Sequence, residues 1–376
     1  MTSTTQLRCG RIERLPELTV NIPANWHVLA YWDESHRVEN ADRKAGLQQV
    51  AKLAGVSLST VDRVLNERGS VSDNKRRKVL QAARTLGLRR LLPSATHGLL
   101  RFDLLMVDSA TDHFRRLAAG FNQEAQLLRS RLVLQQHRWD ERYPEQLLEL
   151  INTPHTTRQG LLVVAQDTPQ IRHALQSQIA QGIPVVLLTT SLSDLPGATY
   201  IGIDNNVAGR SAARLLSHWA NLDAGSVLLI TNSLLYHAHQ QRVAGFLQVL
   251  HQRAPQLNVV GPIECYDDPT RSAHAVRDAV MLHDTIAAIY DSGSGSSGIR
   301  AALLELDIRP VWIGHEATPE HAALLREGLL SLVLDQDPEG QAKAAIQHLL
   351  YANGDLEEPP QTAPQLRIVI EETLAV

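Results

Sequence analysis

Apolar residues recur along this chain with two different periods, and the change from one to the other divides it. Leu47, Val50, Ala51 and Ala54 fall at i, i+3, i+4 and i+7, which draws one apolar stripe on a helix of about two turns. Gly55 ends it, since a residue without a Cβ readily takes the left-handed conformation that closes a helix, and Ser57 stands where it can cap the next one. The second helix runs to about Asn66 with Val61, Val64 and Leu65 facing inward. Ser72 or Asp73 caps a third, whose buried face is Val79, Ala82, Ala83 and Leu86 and which Gly87 terminates. Two short helices broken by Gly55-Val56-Ser57 make a helix-turn-helix, a shape that fits a major groove. The residues placed to meet DNA are Ser57, Leu58, Ser59, Thr60 and Arg63, with Asn66, Ser72 and Lys75 beside them.

From Arg101 onward short apolar runs alternate with amphipathic segments. Strands are expected at Phe102 to Val107, Gly160 to Val164, Pro184 to Leu188, Tyr200 to Ile203, Ser226 to Ile230, Thr285 to Tyr290, Val311 to Ile313 and Leu332 to Leu334. Helices such as Phe114 to Leu128, Pro169 to Gln181, Val207 to Ala220, Ala238 to Gln252 and Arg271 to Leu282 lie between them. That alternation predicts an α/β fold with parallel sheets covered on both faces. The strands are too many for one simple sheet, so the expectation is a three-helix module followed by two doubly wound subdomains, with ligand bound in a cleft at the carboxyl ends of the strands.

Charge sharpens the picture. Twelve Lys or Arg stand against three acids between Arg43 and Leu92, whereas the whole chain carries a formal net charge of −4. Basic charge is gathered where phosphates would lie, including the run Lys75, Arg76, Arg77 and Lys78. No run of about 18 apolar residues occurs and the N-terminus lacks the order of a signal peptide, so a cytoplasmic protein is expected. Cys9 and Cys265, with no Cys/His cluster, argue against disulfides and structural zinc, and no cofactor is expected. Residues 1–44 show no clear periodicity and read as an extension of low order.

The motifs agree with a known family in order as well as content. Val50-Ala-Lys-Leu-Ala-Gly-Val-Ser-Leu-Ser-Thr-Val-Asp-Arg-Val-Leu-Asn66 resembles the helix-turn-helix of the lactose-repressor (LacI/GalR) regulators. Asp204-Asn-Asn-Val-Ala-Gly-Arg210 resembles their Asp-Asn-x-x-Ala-Gly segment and Arg242-Val-Ala-Gly-Phe246 their Arg-x-x-Gly-Phe, while Gly314-His-Glu316 and Asp335-Gln-Asp-Pro338 fall at their last two cleft loops. The resemblance covers roughly residues 47 to 370. It implies a homodimer on a pseudo-palindromic operator, a core like a type I periplasmic sugar-binding protein, and repression of genes for uptake or catabolism of a sugar, polyol or sugar acid.

On that likeness the chain divides into a DNA-binding module at 45–90, a hinge at 91–100 and a ligand domain at 101–376. Within the last, about 101–203 plus 337–355 form one subdomain and about 204–334 plus 365–372 the other. Carried over by motif, Phe114 would stack on the effector and Arg242 donate to it, while Asp291 or Ser292, Glu316 and Gln336 supply further hydrogen bonds, with Asp167 and Thr190 at the same edge. Structural roles stand beside each: Phe114 in the core, Arg242 in an ion pair, Asp204 capping a helix.

Three features depart from the family pattern. The hinge reads Leu88-Arg-Arg-Leu-Leu-Pro-Ser-Ala-Thr-His-Gly98, in which Leu91 or Leu92 would be the minor-groove wedge. Asp62 replaces a small hydroxyl residue and either opposes phosphate or pairs with Arg63. Asp291-Ser-Gly-Ser-Gly-Ser-Ser-Gly298 contains a G-x-G-x-x-G spacing, which keeps a sugar acid or sugar phosphate open as ligand and supports an alternative: an enzyme that binds a nucleotide or sugar phosphate there. No Ser/His/Asp set, paired metal ligands or Walker lysine accompanies it.

Overall fold

The computed structural model describes residues 46–66, 68, 71–86, 99–218 and 224–374. The N-terminal extension, Gly87, and the hinge residues 91–98 with Leu91 and Leu92 lie outside them.

Three helices form an N-terminal helical module: α1 over 46–54, α2 (Leu58–Leu65) and α3 (Asp73–Thr85). Gly55 has φ 64°, and the Val56 N–H returns to the Ala51 carbonyl at 3.0 Å, so the left-handed residue closes α1 as its sequence position requires. Ser57 caps α2 by accepting from the Thr60 N–H at 3.2 Å. Val50, Ala51 and Ala54 of α1, Val61, Val64 and Leu65 of α2, and Val79, Leu80, Ala82 and Ala83 of α3 make one small core. Leu86, expected on the buried face of α3, is 41% exposed because α3 ends at Thr85 and the helical phase stops there.

The larger part holds two sheets. The first contains β1 (Leu100–Val107), β2 (Leu132–Trp139), β3 (Gly160–Val163), β4 (Val185–Leu188) and β5 (Ala198–Ile201), all parallel, in the order β2-β1-β3-β4-β5. Between them run α4 (Asp112–Leu127), α5 (Pro144–Asn152) and α6 (Pro169–Ala180). The second contains β6 (Gly225–Thr231), β7 (Leu257–Glu264), β8 (Ile286–Asp291), β9 (Val311–His315), β10 (Leu332–Asp335) and β11 (Arg367–Val369), in the order β11-β10-β9-β8-β6-β7. Only β11 runs antiparallel among these described strands, against β10. Its helices are α7 (Asn205–Leu216), α8 (His237–Arg253), α9 (Pro269–Leu282), α10 (Ser296–Glu305) and α11 (Pro319–Arg326).

Counted from its own first strand, the first sheet has the order 2-1-3-4-5 and the second the same order with β11 added as a sixth strand, so each has a switch point, β1/β3 and β6/β8, where crossovers leave to opposite sides. The chain passes between the sheets after β5, after β10 and before β11. The middle passage lets α12 (Pro338–Ala352) complete the first unit: Ala342, Ala345, Ile346 and Leu349 join its core beside Leu117 and Phe121 of α4. A Cβ on Gly120 would lie 3.0 Å from that of Ala342, so α4 and α12 cross closely at that point.

Candidate ligand cleft and DNA-contact face

On the N-terminal helical module the exposed face of α2 carries Leu58, Ser59, Arg63 and Asn66, with Thr60 half-buried. Ser57 Oγ caps the helix and lies 3.0 Å from Ser59 Oγ and 2.9 Å from Thr60 Oγ1, which fixes the first turn. Arg63 Nε donates to the Ser59 carbonyl at 3.3 Å. Asp62 does not pair with Arg63. Its Oδ1 accepts from Asn66 Nδ2 at 2.6 Å, because residues four apart share a helix face while neighbours diverge by a quarter-turn or more. Ser72 and Lys75 are exposed, but Arg76, counted in the basic run, is only 2% exposed and belongs to the interior.

Between the two sheets lies a cavity of 530 Å³ at the carboxyl ends of their strands. The first unit contributes the β1–α4 loop, His113 and Phe114 in the first turn of α4, and Thr190 after β4. The second contributes Arg242, Ser292 and Glu316, and Gln336 follows β10 at the middle passage. Six of the eight expected ligand residues are thus brought together: Phe114, Thr190, Arg242, Ser292, Glu316 and Gln336.

Two are not. Asp167 lies in the loop between β3 and α6: its carboxylate is bound by Arg172 and accepts from Ser193 N at 3.0 Å and Ser193 Oγ at 2.6 Å. Those bonds outweigh burial and hold its pKa below the usual range, as fits a structural staple. Asp291 is 1% exposed and outside the lining, its Oδ1 accepting from Gly293 N at 3.0 Å. Burial, with Asp267 adding, pushes its carboxyl up to about 8.

Arg242 is the centre of the cavity's chemistry. It projects from α8 and is 2% exposed, with Nε donating to Asn205 Oδ1 and Nη1 to the Ser292 carbonyl, both at 2.8 Å. Among the described residues no carboxylate stands within ion-pair distance of it, so a buried guanidinium faces the cavity without a counter-ion. Two glycines put it there. A Cβ on Gly209 of α7 would lie 2.0 Å from the Arg242 carbonyl oxygen, and one on Gly245 would lie 2.3 Å from that of Asn206. Helices α7 and α8 therefore cross backbone to backbone, which brings Asn205 to Arg242 and accounts for the glycine in each motif. Asp204 caps α7 through the Val207 N–H at 2.9 Å and is no part of the lining.

Glu316 holds a left-handed conformation, φ 73°, uncommon without a glycine and found where a site over-determines it. Its carboxylate accepts from Gln336 Nε2 and lies 3.2 Å from His113 Nδ1 across the cleft, with Arg116 Nη1 at 3.8 Å. Arg116, on α4, ties the units together through Asp335 at 2.5 Å and the Ala317 carbonyl at 3.2 Å, and bonds Glu339 of α12 within its own unit at 2.9 Å. Burial opposes its charge, and the bonds to Asp335 and Glu339 overcome that and raise its pKa.

Pattern reading missed four lining histidines, His113, His239, His315 and His321. Burial holds His239 and His315 well below the ordinary histidine range, with Arg242 adding to it, so both are neutral imidazoles. His239 Nδ1 is 3.4 Å from Ser292 Oγ, whose proton goes to Thr231, so His239 is the donor of that pair and its other nitrogen an acceptor. No group of His, Cys, Asp and Glu among the described residues could hold a metal ion. The glycines of 291–298 serve packing: a Cβ would meet Asp267 Oδ1 at 2.7 Å from Gly293, Ser272 Oγ at 2.4 Å from Gly295 and the Pro269 carbonyl at 1.7 Å from Gly298.

Comparison with known proteins agrees with both parts. A periplasmic binding protein domain matches residues 104–355, and the DNA-binding part of the bacterial regulatory proteins of the lacI family matches residues 46–90. The chain belongs to the lacI family. The ribose operon repressor of Haemophilus influenzae is 27% identical over 60% of this chain and 66% of that one, and the ribose operon repressor of Bacillus subtilis 24% identical over 73% and 76%. The chain thus spans about two thirds to three quarters of the length of these curated relatives. Both are named repressors rather than enzymes, so the enzyme alternative finds no support in them. Among solved structures, a glucose-galactose binding protein from Geobacillus stearothermophilus covers 74% of this chain and 100% of its own with a TM-score of 0.66 at 19% identity. A solute-binding protein from Actinobacillus succinogenes with bound D-allose covers 73% and 98% with a TM-score of 0.64 at 20% identity. At such identities the likeness is one of fold, here the type I periplasmic-binding-protein arrangement.

Proposed function

We propose that this protein is a ligand-responsive repressor that binds operator DNA as a homodimer in the cytoplasm, and whose effector is a sugar or polyol held in the 530 Å³ cleft. The observation that carries the reading is the set of buried polar atoms without partners in residues that line the cavity. Among the described residues Asn232 Oδ1, His315 Nδ1 and Gln336 Oε1 are buried and unbonded, beside the His113–Glu316 pair and the uncompensated Arg242 guanidinium. Such groups are costly unless a ligand rich in hydroxyls satisfies them. Phe114 supplies one apolar wall.

The carboxylates of the lining favour a neutral ligand over an acidic one. The lining holds Asp108, Asp112, Glu141, Asp267, Glu316 and Glu320 against Arg115 and Arg242, so a sugar acid or sugar phosphate would enter a field of its own sign. The effector closes the cleft by bonding to both units at once, and closure changes the placement of the two DNA modules in the dimer. Phe114, Thr190, Arg242, Ser292, Glu316 and Gln336 make the contacts, and Leu58, Ser59, Arg63 and Asn66 meet the DNA. Thermal unfolding against a panel of sugars, polyols, sugar acids and sugar phosphates tests the ligand class, since a ligand at 100 times its dissociation constant adds about 2.7 kcal/mol. A shift with sugars or polyols is expected. A shift confined to the acids or phosphates overturns the class.

A further inference from the structure

One corner of the cavity offers almost nothing but acceptors. Asn232, at the end of β6, is 8% exposed, and its Nδ2 donates to Asp267 Oδ2 at 2.5 Å, which leaves its Oδ1 buried without a partner. Asp267 sits in the loop after β7 in a left-handed conformation, φ 56°, directly after Tyr266 at φ 55°. Two successive non-glycine residues in that region are strained, and what they achieve here is to turn the Asp267 carboxylate into the cavity lining. Its Oδ1 accepts from the Ser294 N–H at 2.8 Å, and Gly293 has no side chain because a Cβ would meet that oxygen at 2.7 Å.

Glu141 comes from the first unit, and its Oε2 accepts from Tyr236 at 2.8 Å, so the phenol's proton is already given to a carboxylate. The Ser294 hydroxyl, which can donate or accept, also lines the cavity. Burial raises the Asp267 carboxyl, and of the charges that reach it Glu141, which raises it, outweighs Arg242, which lowers it.

We infer that the effector bears an amine, as an amino sugar or amino polyol, whose ammonium sits among Asn232 Oδ1, Asp267 and Glu141 while its hydroxyls reach Arg242. An ammonium is the group that fits such a corner, since it brings three donors and a positive charge to acceptors that one hydroxyl, with a single donor, leaves mostly unfilled. This rests on the sugar reading above and narrows it.

The test pairs each of several hexoses, pentoses and hexitols with its monoamino derivative and measures calorimetric affinity for the full chain at pH 7. At least one amine is expected to bind ten or more times tighter than its parent. That ratio is expected to fall to about twofold or less in Asp267→Asn and, independently, in Glu141→Gln, a half-exposed position that spares the strained turn, with melting curves showing that each variant is folded. Parents that bind as tightly as their amines throughout, or a ratio unchanged in both variants, overturn the inference and leave the sugar reading standing. Binding by no member of the panel overturns the sugar reading and this inference with it.

Discussion

Replacing Arg242 by methionine removes a buried cation while keeping most of the side chain's volume. Two bonds disappear, Nε to Asn205 Oδ1 and Nη1 to the Ser292 carbonyl, and both acceptors lie in residues at most 1% exposed. An acceptor left unsatisfied in the interior costs about 1–3 kcal/mol, whereas a guanidinium no longer buried without a counter-ion returns several kcal/mol of desolvation. The two effects oppose each other, so the melting temperature is expected to move by less than the roughly 2–4 °C that accompanies 1 kcal/mol in a unit of 150–250 residues. Ligand binding has no such offset. Hydrogen bonds from a charged donor contribute about 1.5–3 kcal/mol each, so removing two such bonds to the ligand costs about 3 kcal/mol or more, at least about a hundredfold in dissociation constant. Calorimetry with the effector and a melting curve on the same sample separate the two effects. A folded variant that keeps its ligand affinity within threefold would refute Arg242 as the binding group.

Three further outcomes follow from the geometry. Asp291→Asn keeps the bond from Gly293 N and removes a carboxyl whose folded pKa is about 8 against 3.8 unfolded; such a group loses stability as pH rises between those values, so the variant should gain melting temperature over wild type at pH 8 and lose the advantage toward pH 4. Arg158→Ala strands the Asp103 carboxylate, 3% exposed and 3.1 Å from Nη1, at a cost of about 3–5 kcal/mol, while a methionine pair at 103 and 158 should restore most of it; chemical denaturation reads both. Asp62→Asn removes an acid from the exposed face of α2 while leaving an acceptor for Asn66, so DNA affinity should rise and its fall with salt, followed by titration between about 50 and 200 mM, should steepen by up to about one counter-ion.

The central strands were legible because they are apolar on both faces: β1, β3 and β4 are buried almost throughout, and a buried run reads as a strand wherever turns bound it. Two of the edge strands were not. Leu132-Val-Leu-Gln-Gln-His-Arg-Trp139 forms β2 and Leu257–Glu264 forms β7, each at the rim of its sheet with most residues only half-buried, so polar side chains break the apolar run. In the cleft, residues on motif loops could be placed from the sequence, and Arg242, Ser292, Glu316 and Gln336 do line it. Asp167 sits in a loop after a strand like the others, but Arg172 and Ser193, which claim it, are not marked by any spacing. The histidines escaped for the opposite reason: scattered at 113, 239, 315 and 321, they meet only once two sheets face each other. A polar residue directly after an apolar strand, as at His315 and Asn232, was the signal available for part of the set.

The most direct test of effector-controlled repression is a titration of fluorescent DNA, selected by the protein from a random pool, with and without a saturating sugar or amino sugar that shifts the melting curve. A change of roughly 5- to 150-fold in dissociation constant, a coupling of about 1–3 kcal/mol, is expected. Equal DNA affinity with every ligand that binds contradicts the coupling of cleft to DNA.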